Sequence, residues 1–112
     1  MRVNRDLTAA SVVLVILLIL REQDSYGYQI IQRIRAMSAQ QWLWSEGMLY
    51  PVLHRLEKRE LIEAYWKVAE SGRQRKYYRL TKRGRMELER QEQQWRVVQQ
   101  TLSNLGLGKK DE

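Results

Sequence analysis

Between Arg55 and Arg85 the chain places eleven Lys and Arg side chains against four acids, Glu57, Glu60, Glu63 and Glu70, so this stretch carries the whole net charge of +7. In the rest of the 112 residues nine basic groups balance nine acidic ones. Positive charge gathered on about a quarter of a chain makes a local field that draws phosphate-rich partners. Around the start of the stretch, Ser45, Tyr50, His54, Arg55 and Lys58 combine cations with groups able to touch base edges. Arg73, Arg75 and Lys76 continue the charge further on. The chemistry these residues offer is binding to nucleic acid.

Other chemistries are poorly supplied. There is no cysteine, which excludes disulfides, thiolate metal sites and a thiol nucleophile. His54 is the single histidine and has no second ligand in sight, so a zinc-type cluster is not expected. The carboxylates stand mostly beside basic residues on solvated helix faces, and nothing assembles into an acid–base pair. The reading is of a non-enzyme without cofactor or metal.

The elements that must position the basic groups follow from periodicity. Leu7 to Leu20 is almost wholly apolar but too short for the roughly 20 residues of a membrane span, and predicts a buried helix to about Arg21. Asp24 or Ser25 then caps a second helix, whose core face is Ile30, Ile31, Ile34 and Met37. Trp42, Leu43 and Trp44 read as a short strand with both indoles on one face. Ser45 caps a third helix from Met48 to Glu60. Its apolar residues Leu49, Val52, Leu53 and Leu56 fall on one side and leave Tyr50, His54, Arg55 and Lys58 towards the other. Pro51 inside it is expected to bend or loosen the first turns.

Two alternating runs follow. Ile62, Ala64, Trp66 and Val68 predict a half-buried strand, and Lys76, Tyr78 and Leu80 a returning one, joined by Glu70-Ser71-Gly72-Arg73 as a turn with a basic tip. Tyr77 and Tyr78 are expected to pack rather than to stack on bases. Thr81 caps a last helix to about Leu105. Along it Leu88, Trp95, Val98, Leu102 and Leu105, with Gln91 in the remaining slot, step by three and four as a narrow seam suited to a partner helix. The fold class is mainly α with a small β-hairpin (α+β), a winged helix-turn-helix with a C-terminal dimerisation helix. The expected division is a DNA-binding domain over 1–81, a dimerisation helix over 82–108 and a polar tail over 109–112.

Four blocks stand in order along most of the chain: Tyr26-Gly27-Tyr28-Gln29-Ile30; Gly47-Met48-Leu49-Tyr50-Pro51-Val52-Leu53-His54-Arg55-Leu56-Glu57; Leu61-Ile62; and Gly72 to Thr81 with Gly84. Together they resemble the PadR family of transcriptional regulators in its short form. The resemblance implies a cytoplasmic homodimeric repressor that binds an inverted-repeat operator in double-stranded DNA, with the third helix in the major groove and the hairpin on the flanking backbone. It also implies a dimer interface on the last helix. Some short members hold flat aromatic compounds beside a tryptophan there, which makes Gln91 and Trp95 the candidate effector site for a planar aromatic ligand. The alternatives are a dimeric protein-interaction module that binds no DNA, and a peripheral membrane protein using the basic segment.

Overall fold

The computed structural model describes residues 2–109. Its order is α1 (Arg5–Glu22), β1 (Ser25–Tyr26), α2 (Gly27–Met37), α3 (Glu46–Lys58), β2 (Ile62–Val68), β3 (Gln74–Leu80) and α4 (Lys82–Asn104). The strands form one antiparallel sheet in the order β1-β3-β2, with Ser25 opposite Tyr78 and Ile62 opposite Leu80. Of the expected polar tail only Lys109 is described; Lys110 to Glu112 lie outside the described residues.

The α1 helix is apolar on nearly every side, one side buried in the core and the other half-buried. Ile16 and Leu17 are fully buried, and Val13, Leu14, Val15 and Leu18 pack around the same core. Against it lie α4 and β3, while α2 and α3 pack on each other and close the core with Ile30, Ile34, Leu49, Leu53 and Leu56. Removing these side chains from water is the main stabilising term.

Several boundaries differ from the expectation, each for a local reason. The first helix begins at Arg5, two residues before Leu7, because Asn4 caps it, its Oδ1 accepting from the Leu7 N–H at 2.9 Å. Asp24 and Ser25 do not cap α2. Ser25 is buried in β1, Tyr26 is the cap residue, and the Gln29 side chain accepts from the Tyr26 N–H at 3.4 Å. The expected Trp42–Trp44 strand is absent. Ala39 and Gln40 take the left-handed conformation (φ 51° and 67°), and the segment that follows is satisfied by side chains instead of a neighbouring strand: the Trp42 N–H donates to Ser38 Oγ at 2.9 Å and its indole N–H to Thr8 Oγ1 at 2.8 Å. The two indoles meet edge to face at 5.6 Å, Trp44 inside the core.

Ser45 caps α3 as expected, but the helix starts at Glu46 and stops at Lys58, two residues before the expected end. Glu60 turns left-handed (φ 60°), and the Leu61 N–H returns to the Leu56 carbonyl at 3.0 Å. The helix runs on through Pro51. In β2 the expected buried alternation holds only for Ile62 and Ala64. Trp66 and Val68 are 66% and 59% exposed, because the β2–β3 hairpin, the wing, extends beyond the helices that would cover them. Gly72 turns the hairpin at φ 82°, a conformation that favours glycine.

Candidate nucleic-acid interface

Burial of Leu49, Val52, Leu53 and Leu56 fixes the rotation of α3, and helical spacing then points Gly47, Pro51, His54 and Lys58 directly away from the core, all exposed. Arg55 and Tyr50 flank this strip on opposite sides. Arg55 borders a cleft of about 550 Å³ together with Ser45, with Arg2, which precedes α1, and with Arg5 at its start. Tyr50 lies on the other side, half-buried, with its hydroxyl against the backbone of Gly27 at the start of α2; a Cβ on that glycine would sit 2.6 Å from the Tyr50 oxygen. Burial, and then the charge of Glu46, push the Tyr50 phenol above its ordinary pKa, so it remains a neutral hydroxyl.

Between α2, α3 and the wing runs a second cleft of about 550 Å³, whose polar rim includes Tyr28, Glu46, Tyr50, Arg73 and Arg75. The basic residues of the stretch from Arg55 to Arg85 divide by partner. Arg59, Lys76, Arg79 and Arg83 are in ion pairs with Glu87, Glu57, Glu63 and Glu60. Among the described residues Arg55, Lys58, Arg73 and Arg75 form none. Lys76 therefore differs from the other expected contacts: it is half-buried, 3.7 Å from Glu57 Oε1 and over the Tyr78 ring, with its charge already answered. Lys67 on β2 and Lys82 and Arg85 at the start of α4 are likewise in no ion pair, and four of the unanswered cations, Arg55, Lys58, Arg73 and Arg75, stand on α3 and the wing.

The outer face of the sheet is an aromatic ladder. Tyr77 meets Tyr26 edge to face at 5.3 Å and stacks on Tyr65 at 5.8 Å, with Arg75 over Tyr26 and Arg79 over Tyr65. The Tyr65 hydroxyl donates to Asp24 Oδ2 at 2.6 Å, a bond that raises its pKa and ties the wing to the α1–β1 junction. Tyr77 thus packs, as expected, but on the face away from the core, while Tyr78 is buried beneath the sheet with its phenol pushed up to about 12 by that burial.

On α4 the expected seam separates into two parts. Leu88 is 2% exposed within this chain's own core and has no surface left for a partner, a correction to its place in the interface. Trp95 is half-buried, while Val98, Leu102 and Leu105 are exposed, and Val97 and Leu107 extend the apolar surface. Gln91 has a local role: its amide donates to Glu87 Oε2 at 2.9 Å, and Glu87, held below the usual carboxylate range chiefly by Arg90, joins that pair. Neither Gln91 nor Trp95 borders the two clefts beside α3, the one at Arg59 and Met86, or the one between α1 and α2.

Sequence reasoning missed Arg2, Arg5 and Tyr28 as members of this surface, since only the approach of α1 and α2 to α3 brings them there. Among the described residues no group of three or more His, Asp or Glu could hold a metal ion, and no helix is long and apolar enough to cross a membrane.

Comparison with known proteins places this arrangement. A family model described as the transcriptional regulator PadR-like family matches residues 16–90. A PadR-like transcriptional regulator from Bacillus cereus has a similar structure, with a TM-score of 0.82 and 32% identity over 94% of this chain and all of that one. A transcriptional regulator from Clostridium thermocellum has a TM-score of 0.79 at 30% identity, covering 91% of this chain and 99% of that one. An uncharacterized protein of Lysinibacillus sphaericus is 36% identical over 100 residues, 89% of this chain and 92% of that one.

Proposed function

The chain belongs to the PadR-like family of transcriptional regulators, and we propose that it works in the cytoplasm as a homodimeric repressor. It binds an inverted-repeat operator in duplex DNA and catalyses nothing. Residues 1–81 form the reading head and 82–108 the dimerisation helix. The observation that carries this is that four of the cations left without a carboxylate, Arg55, Lys58, Arg73 and Arg75, lie on α3 and on the wing, with His54 exposed on the same helix. In this reading α3 enters the major groove, where His54 and Tyr50 touch base edges. Ser45, Arg55 and Lys58 hold the backbone on one side, and Arg73 and Arg75 hold it on the wing side, with Lys76 available once it leaves Glu57. Two heads related by a two-fold axis read half-sites about one helical turn, roughly 10 base pairs, apart.

The test is selection of bound sequences from random duplex DNA, followed by titration in salt. Arg73→Ala or Arg75→Ala should weaken all sequences alike and reduce the slope of log affinity against log salt by about one, whereas His54→Ala should reduce discrimination between sites. Selection that returns no inverted repeat would refute the reading.

Relief of repression is assigned to a planar aromatic effector between the two copies of Trp95. Support comes from a half-buried indole on the partly exposed apolar face of α4, where two-fold symmetry would bring two rings to one cleft, with Gln91 one turn away as a hydrogen-bonding group. Titration with planar aromatic cations should give saturable fluorescence quenching that vanishes in Trp95→Ala. Quenching that survives would remove Trp95 from the site.

A further inference from the structure

Trp66 is the most exposed of the large aromatic side chains, and β2 carries Val68 beside it on the same face of the strand. That face is the one that, nearer the helices, buries Ile62 with its cross-strand partner Leu80 and holds Ala64 against Tyr78. Beyond the core it continues as Trp66 opposite Lys76 and Val68 opposite Gln74. Since Lys76 reaches Glu57 on the last turn of α3, this face looks towards the third helix and not away from it. Trp66 and Val68 therefore stand on the α3 side of the wing, outside the cleft between α2, α3 and the wing, with Lys76 across the hairpin on the same face and Arg73 at the turn.

Single exposed apolar residues are ordinary, but a tryptophan on an edge strand is an aggregation hazard, which most edges avoid with charge or proline. Here the charge is present, on Lys67 and across the hairpin, and the indole remains. We propose that Trp66, with Val68, is a DNA-contacting residue that packs on the deoxyribose rings of the backbone strand crossing between α3 and the wing. This rests on the DNA-binding reading above. The occupant is chosen by mixed chemistry: a sugar–phosphate chain offers apolar ring faces at the same spacing as its anions, and this edge of the wing offers an indole and a valine between Lys76, directly across the strand pair, and Arg73 at the turn, which no carboxylate answers. A second copy of this chain is a poor match, because it carries the same excess of positive charge and its main exposed apolar surface lies on α4.

The contact has a signature that a phosphate contact lacks. Trp66→Ala removes no charge, so it should weaken binding to the selected operator by roughly tenfold at every salt concentration while leaving the salt slope unchanged. Arg73→Ala should lower the slope. Trp66→Tyr, which keeps a flat ring, should stay within about twofold of the parent. Affinities are read by fluorescence anisotropy of the labelled duplex, with thermal melting and sedimentation of each variant alongside; so exposed a side chain should leave both unchanged. Equal affinity of Trp66→Ala and the parent would overturn the contact, as would weaker binding that comes with a weakened dimer. Failure of the parent itself to bind duplex DNA would instead remove the DNA-binding reading, and this contact with it.

Discussion

Replacing Gly84 by alanine should destabilise the protein although alanine is the better helix former. Gly84 lies in the first turn of α4, and a Cβ there would sit 2.0 Å from the Leu61 carbonyl oxygen, 3.0 Å from its carbon and 3.1 Å from Leu80 Cδ2. The close atoms are backbone, so no rotamer change relieves the clash; either α4 or the α3–β2 turn must move by more than an ångström. That carbonyl also accepts from the Thr81 N–H at 3.1 Å, and Thr81 caps α4 through the Gly84 N–H at 3.0 Å. Glycine to alanine in a helix gains up to about 1 kcal/mol. Overpacking costs about 1–3 kcal/mol, and a loosened cap about 1 kcal/mol more. The net is a loss of about 2 kcal/mol, or roughly 8 °C in melting temperature at about 4 °C per kcal/mol. Urea and thermal unfolding at matched protein concentration measure it. Gly27→Ala is the internal contrast, since its Cβ would meet the far end of the Tyr50 side chain, which can swing away. Gly27→Ala should cost less stability and show its effect in DNA affinity. A Gly84→Ala protein as stable as the parent would refute the claim that this glycine marks a close approach of α4 to the α3–β2 turn.

Three further outcomes are expected. Tyr78, with its phenol raised to about 12, favours the folded state while it is protonated; that contribution is complete below the ordinary pKa of 10 and declines as pH rises from there towards 12. Stability should fall across that window by an amount of order 2 kcal/mol that Tyr78→Phe does not show, measured by urea unfolding at stepped pH. Leu102→Lys would place a charge in the seam proposed on α4 and should convert the dimer to monomer in sedimentation; an unchanged dimer would put the interface elsewhere. Tyr65→Phe removes the hydroxyl that donates to Asp24. It should speed amide hydrogen exchange in β2 and β3 while changing global stability by less than about 1 kcal/mol, because the bond is exposed and acts on the wing's attachment.

Much of this protein is legible in one dimension because its signals are periodic. The core face of α3, the capping roles of Ser45 and Thr81, the strand alternation around Tyr78 and Leu80, and the exclusion of thiol and metal chemistry all follow from spacing or composition, which neighbouring residues carry among themselves. The family resemblance rests on the same short blocks. What spacing cannot say is where an element outruns its partners. Ile62, Ala64, Trp66 and Val68 are equivalent in period, and only the reach of the helices decides that the first two are covered and the last two are not. Leu88 and Leu102 fit one seam, but packing against α1 and the sheet takes Leu88 into the monomer core. The tryptophans at 42 and 44 have strand-like character, yet a strand needs a neighbour with free backbone groups, and Ser38 and Thr8 satisfy this segment first. Ser25 and Tyr26 become a strand only because β3 offers them an edge. Charge divides in the same way: eleven cations are visible between Arg55 and Arg85, but which are already answered by a carboxylate is set by distances of a few ångströms across the fold, and those distances leave seven unpaired among the described residues, including Arg55 and Lys58 on α3 and Arg73 and Arg75 on the wing.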